Sequence, residues 1–474
     1  MRFLNILLIA VIGLGVFIYD VDKSGKNIVL SFIIINYVLI SFIFKRLLTI
    51  NLLSPLLLLL GIAFLRYGIS GIPVLLGMNP PYTTLFQFVK IDTQDWLNGL
   101  LLVFTGLYSV IVGWKVVIDK APKQLFKYKP EQWSTHYRVP VIVKSILLIA
   151  MTIGLISLFV YTGKNVNWAI FEVILEGGIR KRVITEGTGV YFHLAHLAIV
   201  ASVIISTLMY CEGKSIIRSL FPSIITFGVF FTLGGRIRAV TPIFASILAI
   251  YHLEGGRGFR FLKMVSAKKI ILGFLFLFVI LTLFLAGVEY REEGINALNP
   301  RNLLVKIKDY ISLIVWEDIG NLYAIALVTQ HEPGILRGMS FIGVLGPIAE
   351  WFGLRGMSGG VFVISQYFSF GEKEWGTHTG LIGETFLNFG FLSIVLICFV
   401  FGLCLGWIEK KLLHSVYHRD PWKSSFFSIL TVYFLRIFFE KVGRLFELWI
   451  VLSFFVGLYF LSKIATSMQK SFRI

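Results

Sequence analysis

VPVIVKSILLIAMTIGLISLFVY, residues 139–161, carries a single charge, Lys144, close to its start. A stretch of this kind offers no polar face to water. Coiled as a helix at about 1.5 Å per residue, it matches the roughly 30 Å hydrocarbon core of a bilayer. Inside that core every backbone N–H and C=O needs a partner within the chain, so helix is the conformation available to it. Comparable runs recur near 3–19, 28–44, 52–68, 97–118, 189–211, 217–233, 239–253, 270–288, 384–408, 424–439 and 446–462. The expectation is an all-α polytopic membrane helical bundle of about 12 transmembrane helices, forming a single integral membrane domain over residues 1–474.

Composition agrees with that reading. The chain is 57% hydrophobic and 15% charged, well under the charged share of about 25% typical of soluble domains. Its formal charge of +18 raises the question of nucleic acid, but the cations crowd the ends of apolar spans and no basic soluble domain is available to carry such a function. Cys211, Cys398 and Cys404 sit in or beside apolar stretches without metal-type spacing and read as small core residues. The N-terminal run to Tyr19 lacks a small-x-small cleavage site and reads as a retained first helix.

Charge also sets an orientation. One set of alternate loops holds Lys45/Arg46, Lys120 to Lys129, Lys214/Arg218, Arg257 to Lys269 and Lys410 to Lys423, and Lys463, Lys470 and Arg473 close the chain. Under the positive-inside rule this set is cytoplasmic, with both termini on the same side. The opposite face receives 69–96, 162–188, 234–238, 289–383 and 440–445. Segment 289–383 is far longer than an ordinary connection and reads as a functional outer loop, folded onto the bundle partly as interfacial helices, for example near 301–330.

On that outer face, charge at membrane depth marks candidate sites, because an ionised side chain there is costly unless paired or facing a polar cavity. The turn Gly234-Gly235-Arg236-Ile237-Arg238 joins two spans that are nearly all apolar. Arginine suits a diphosphate, since its planar fork donates paired hydrogen bonds to phosphate oxygens and keeps its charge. Headgroup snorkelling is the plainer alternative. A second basic cluster, Arg180-Lys181-Arg182, lies in 162–188. Arg436, Glu440, Arg444 and Glu447 follow steps of four, four and three, one helical stripe if the helix continues. They read as an internal ion-pair ladder in which Arg436 also reaches a ligand. Thr377-His378-Thr379-Gly380 leads through Gly383-Glu384 to Asn388-Phe389-Gly390. There His378 or Glu384 is placed to accept a proton, the second also as a helix-dipole partner in the first turn of a span. Tyr290 to Glu293 and Trp316-Glu317-Asp318 add further charges to the long loop. His193 and His196 stand one turn apart in an apolar helix without a third ligand, so no metal is expected. Gly255-Gly256-Arg257-Gly258 lacks the strand and helix of a nucleotide loop and reads as a connection.

These patches resemble the bacterial O-antigen polymerase (Wzy-type) family of oligosaccharide repeat-unit polymerases. The Gly-Gly-Arg turn at 234–236 is similar to that family's glycine-arginine turn. Glu176-Gly-Gly-Ile through Arg182 to Gly187 resembles a pattern after its middle span. His378 to Gly390 is similar to its Gly-Glu-x-x-x-Asn-x-Gly signature, with further small residues at Gly402 and Gly406. Arg436 falls where such proteins often carry a late arginine. The tandem arginine motifs of ten-residue spacing found in some polymerases are not evident.

The resemblance implies a C-type membrane glycosyltransferase-like fold and a glycosyltransferase that polymerises polyisoprenyl-diphosphate-linked oligosaccharide repeat units. Donor and acceptor would meet on the outer face of the cytoplasmic (inner) membrane of a bacterium, in O-antigen, capsule or exopolysaccharide assembly. The lipid bilayer, a chain-length regulator and a flippase would be its partners, and no cofactor is implied. Arg180, Arg182, Arg236, Arg238 and Arg436 would bind the diphosphate, with Glu384 or His378 catalytic. A lipid-linked oligosaccharide flippase, a ligase of the same superfamily and a scaffold subunit are the rival readings. A transporter of that kind usually shows repeated halves and short loops, neither of which is visible here.

Overall fold

The computed structural model describes residues 53–63, 66–67, 93–120, 139–166, 168, 189–233, 236–253, 321–342, 379–417 and 420–471. These residues form helices and connections, with no strand among them. In chain order the helices are α1 (Pro55–Ala63), α2 (Thr93–Ile118), α3 (Val141–Asn165), α4 (Gly189–Cys211), α5 (Ile216–Leu233) and α6 (Arg236–Leu253). There follow α7 (Asn321–Val328), α8 (Met339–Ile342), α9 (Gly380–Phe389), α10 (Phe391–Tyr417), α11 (Pro421–Phe439) and α12 (Arg444–Ser471).

Six of them hold stretches long and apolar enough to cross a membrane: Asn98–Ile118, Val141–Asn165, Gly189–Cys211, Ile216–Leu233, Phe391–Ser415 and Arg444–Gln469. They mark the chain as a multi-pass membrane protein. Arg238–Leu253 is a shorter apolar helix, and the expected spans at 52–68 and 424–439 correspond to α1 and α11. The runs near 3–19, 28–44 and 270–288 lie outside the described residues.

Two expectations are corrected. The single span at 384–408 is two helices, α9 and α10, separated by Gly390 at φ +82°. Only glycine takes that backbone conformation without strain, and the Gly390 N–H closes α9 by donating to Phe386 O at 2.9 Å. Within the stretch expected to lie at the interface, α7 is instead a core helix whose Ala324 to Val328 are all buried. From Ala324 on, its sequence, AIALV, is wholly apolar, so no face there is suited to headgroups. Residues 301–320 lie outside the described residues.

The chain divides into two compact units. One comprises Met1–Ala121, Ser312–Trp407 and Phe434–Phe446; the other comprises Pro122–Ile311, Ile408–Tyr433 and Glu447–Ile474. In the first unit α2 and α10 touch backbone to backbone. A Cβ on Gly113 would collide with Phe399 O, one on Gly402 with Val110 O, and one on Gly406 would come within 2.8 Å of Trp114 O. Small residues give membrane helices this close approach, where dispersion rather than water exclusion holds them together. α7 packs on α2 in the same way, with Gly99 against Ala326.

In the second unit Gly154 of α3 lies against the backbone of Ala198 in α4. A buried hydroxyl chain ties α4 to α5 and α6: Ser206 Oγ to Ser223 Oγ at 2.9 Å, and Ser223 Oγ to Ser246 Oγ at 2.7 Å. Glu212 joins the start of α3 to the end of α4, accepting from Val139 N–H at 3.0 Å and from Lys144 Nζ at 2.8 Å. Thr162 Oγ1 donates to Leu233 O at 3.1 Å, closing the other ends of α3 and α5. Exposed apolar side chains such as Leu148, Ile149, Ile156 and Phe460 clothe α3 and α12 as lipid-facing surface.

Gly402→Val is expected to destabilise the first unit by about 1–3 kcal/mol through overpacking. Gly457→Ala adds a methyl group to open space on α12 and should leave melting unchanged or raise it. Thermal unfolding in detergent followed by circular dichroism compares the two.

Candidate functional site

α9 is the structural centre of the first unit's polar cluster. It is ten residues long, and Gly380 to Asn388 are buried without exception. Buried on all sides, its few polar groups must find partners in the chain. Gly380 opens it at φ +63°, and a Cβ there would lie 2.6 Å from Phe438 O. The bare glycine lets the Gly380 N–H donate to Glu440 O at 3.2 Å.

Glu384 is 1% exposed. It stands in the second turn of this short helix rather than in the first turn of a span. Its Oε2 accepts the backbone N–H of Val442 at 3.1 Å, so the carboxylate fastens the turn between α11 and α12. Asn388, one helical turn on, donates from Nδ2 to Glu384 O and accepts Ser340 N–H on Oδ1 at 3.2 Å. Beside it, Gly334 N–H donates to Phe386 O at 3.1 Å and Leu336 N–H to Leu387 O at 2.8 Å. The Gly-Glu-x-x-x-Asn-x-Gly pattern thus binds two separate backbone segments and then ends its helix at Gly390.

The turn that Glu384 fastens carries the cations. Arg436 sits in the last turn of α11, where a cation suits the negative end of the helix dipole. It is 6% exposed. Its Nε donates to Glu440 Oε1 at 2.8 Å and its Nη2 to Glu440 Oε2 at 3.3 Å. Arg444 Nε donates to the same Oε2 at 2.6 Å. Arg66 joins the group through the neighbouring residue, donating from Nη1 to Phe439 O at 3.2 Å with its guanidinium 5.3 Å from the Phe439 ring centre. Among the described residues, two guanidinium groups therefore share the Glu440 carboxylate and a third binds the Phe439 carbonyl beside it. Elsewhere in this unit, burial pushes down the imidazole pKa of His331, in the connection that precedes α8.

The expected ladder of four residues divides. α11 ends at Phe439 and α12 begins at Arg444, so one continuous stripe does not form. Arg436, Glu440 and Arg444 remain together, while Glu447 belongs to a separate cluster in the second unit.

In that cluster Arg238 Nη2 donates to Glu447 Oε1 at 2.6 Å, and the guanidinium lies 4.3 Å from the centre of the Phe192 ring. Arg238 stands in the first turn of α6, where the helix dipole repels a cation, and Glu447 compensates from the first turn of α12, where an anion is favoured. Glu447 Oε2 also faces His196 Nε2 at 3.8 Å. Arg236 opens α6, so the anticipated arginine turn is already helical there; its side chain lies outside the described set. Arg180, Arg182 and His378 lie outside the described residues as well.

The role of Arg66 is missed by a reading that assigns its segment to a span, and no local pattern distinguishes it. The partnership of Glu447 with His196 and Arg238 escapes sequence reasoning too, because it joins three helices distant in the chain. Among the described residues no group of three His, Cys, Asp or Glu side chains is placed to hold a metal ion. No family model, curated protein or solved structure matches the chain.

Asn388→Ala removes the acceptor for a buried backbone N–H, and a loss of about 1–3 kcal/mol is expected. The melting temperature in detergent should fall accordingly, and cleavage within 329–342 by a soluble protease should quicken. Unchanged melting and unchanged cleavage would count against the bracing role.

Proposed function

We propose that this chain is a membrane glycosyltransferase that polymerises polyisoprenyl-diphosphate-linked oligosaccharide repeat units on the outer face of a bacterial cytoplasmic membrane. The observation that carries the reading is the arginine group at the α11–α12 turn: Arg436 and Arg444 on one shared carboxylate, with Arg66 on the adjoining carbonyl. Fixed cations in an apolar setting attract an anion, and guanidinium forks match phosphate oxygens in pairs. A diphosphate departing from a sugar gains negative charge in the transition state. Donors already held in place stabilise that charge without reorganising.

Within this reading Arg436 and Arg444 serve the donor diphosphate, and α9 holds them through Glu384 and Gly380. Arg180, Arg182, Arg236 and Arg238 are the other diphosphate ligands implied by the family resemblance. The acceptor hydroxyl loses its proton to His378 or Glu384. Positive-inside charge supports a cytoplasmic position for both termini, and a chain-length regulator and a flippase are the natural partners of such an enzyme.

Full-length protein in vesicles supplied with lipid-linked repeat units tests the reading. Chain growth is expected, with loss of about 10²–10³-fold in rate for Arg436→Ala and for the more exposed Arg444→Ala, as for removal of one preorganised donor to a developing anion. Arg436→Lys should recover only part of it, since an ammonium lacks the paired fork. Translocation without chain growth would support a flippase instead, and full activity in both alanine variants would make these arginines structural.

A further inference from the structure

Arg337 stands in the connection between α7 and α8 with a backbone φ of +44°, inside the left-handed region. Gly334 at +79° and Gly338 at +90° meet the same demand in the same stretch as glycines, which take such a conformation freely. A side chain at such a position costs the fold, and an outlier of this kind points to a duty for the group that bears it. The stretch is firmly held. Gly334 N–H donates to Phe386 O at 3.1 Å, Leu336 N–H to Leu387 O at 2.8 Å and Ser340 N–H to Asn388 Oδ1 at 3.2 Å. Both sides of Arg337 are thus fastened to the end of α9. Its own N–H donates to Gly334 O at 3.0 Å. The side chain is exposed, and it makes no hydrogen bond or ion pair among the described residues.

The same fastening sets its depth. A Cβ on Gly390 would lie 3.4 Å from Pro333 Cβ, and the apolar span of α10 opens one residue later, at Phe391. The Phe389 ring lies beside Gly338, 3.7 Å from where a Cβ would stand. Arg337 is therefore held beside the end of a membrane span, where the phosphates of a bilayer lie. From that end Leu392, Leu396 and Val400 recur in steps of four along α10, and all three are exposed. They form an apolar strip about 12 Å long, within the reach of an acyl chain in one leaflet. We propose that Arg337 is the headgroup contact of a bound anionic phospholipid, its guanidinium on the phosphate and one acyl chain along this strip. A planar fork fixed in space pairs with two phosphate oxygens and gives up little freedom in doing so. An anionic headgroup is favoured over a zwitterionic one, whose own ammonium competes for the phosphate. The surface is open to the bilayer, so an abundant lipid occupies it by mass action. The site lies at the far end of α9 from the arginine group around Glu440 and does not depend on the enzymatic reading.

Full-length protein in nanodiscs containing phosphatidylglycerol with a photoreactive diazirine near its headgroup tests the site, the labelled peptides being mapped by mass spectrometry. Labelling of a peptide covering 331–342 is expected in the wild type. Unlabelled phosphatidylglycerol should suppress it more strongly than phosphatidylcholine with the same acyl chains. Arg337→Gly suits a φ of +44° and so keeps the loop, yet it should reduce the labelling about fivefold, the weight of one arginine against an anionic lipid surface. Arg337→Lys keeps the charge and should retain more than half of the labelling. Undiminished labelling in Arg337→Gly, or equal suppression by phosphatidylcholine, overturns the proposal. So does a loss in Arg337→Lys as deep as in Arg337→Gly, since charge would then not be what holds the lipid. Suppression by a polyisoprenyl phosphate at a concentration where phosphatidylglycerol has no effect assigns the site to that lipid and overturns it equally.

Discussion

The first unit depends on one buried hydrogen bond, from the backbone N–H of Val442 to the carboxylate of Glu384. A turn between two apolar helices has backbone donors that neither helix can satisfy, and lipid offers them no partner. Glu384 supplies the partner from a helix that is itself held by its neighbours. Gly380 meets the same turn from the other direction, donating its N–H to Glu440 O. The chain from Glu440 to Val442 is thus fixed at both ends, and with it the carboxylate on which Arg436 and Arg444 converge. Loss of one partner from such a buried charged arrangement costs about 3–5 kcal/mol, because the remaining charge is left uncompensated.

Economy of charge distinguishes the two clusters. Around Glu440, among the described residues, a single carboxylate accepts from two arginines and a third arginine binds a carbonyl. Around Glu447, among the described residues, one carboxylate accepts from Arg238 and faces His196. Both occur at helix ends, where helix dipoles assist Arg436 and Glu447 and oppose Arg238. The opposition explains why Arg238 needs both a carboxylate and an aromatic face.

Much of the helical architecture is legible in the sequence because a bilayer leaves few choices. Spans at 97–118, 139–161, 189–211 and 217–233 agree with α2 to α5 within a few residues. The break at Gly390 is not legible: 384–408 reads as one uninterrupted apolar run, and a glycine inside such a run is common in membrane helices. What decides it is the demand of Asn388 and Phe386 for partners in 333–340, a tertiary constraint. Helix α7 was expected at an interface for the opposite reason, since its place in a long loop suggested a surface position while its uniform apolarity directs it to the core. At the candidate site, the importance of Glu384, Asn388 and Arg436 is visible as polar residues in apolar surroundings. Their actual duties are not, because Glu384 acts on a backbone 58 residues away, and Glu447 exchanges the expected ladder for His196 and Arg238.

The central claim is that Glu384 holds the α11–α12 turn and so the arginine group upon it. Hydrogen exchange followed by mass spectrometry on the reconstituted protein measures this directly in a peptide covering 440–446. In the wild type the peptide should be protected, and Glu384→Gln should raise its exchange at least tenfold while peptides from the middle of α10 remain unchanged. Equal protection of 440–446 in the two proteins would contradict the account.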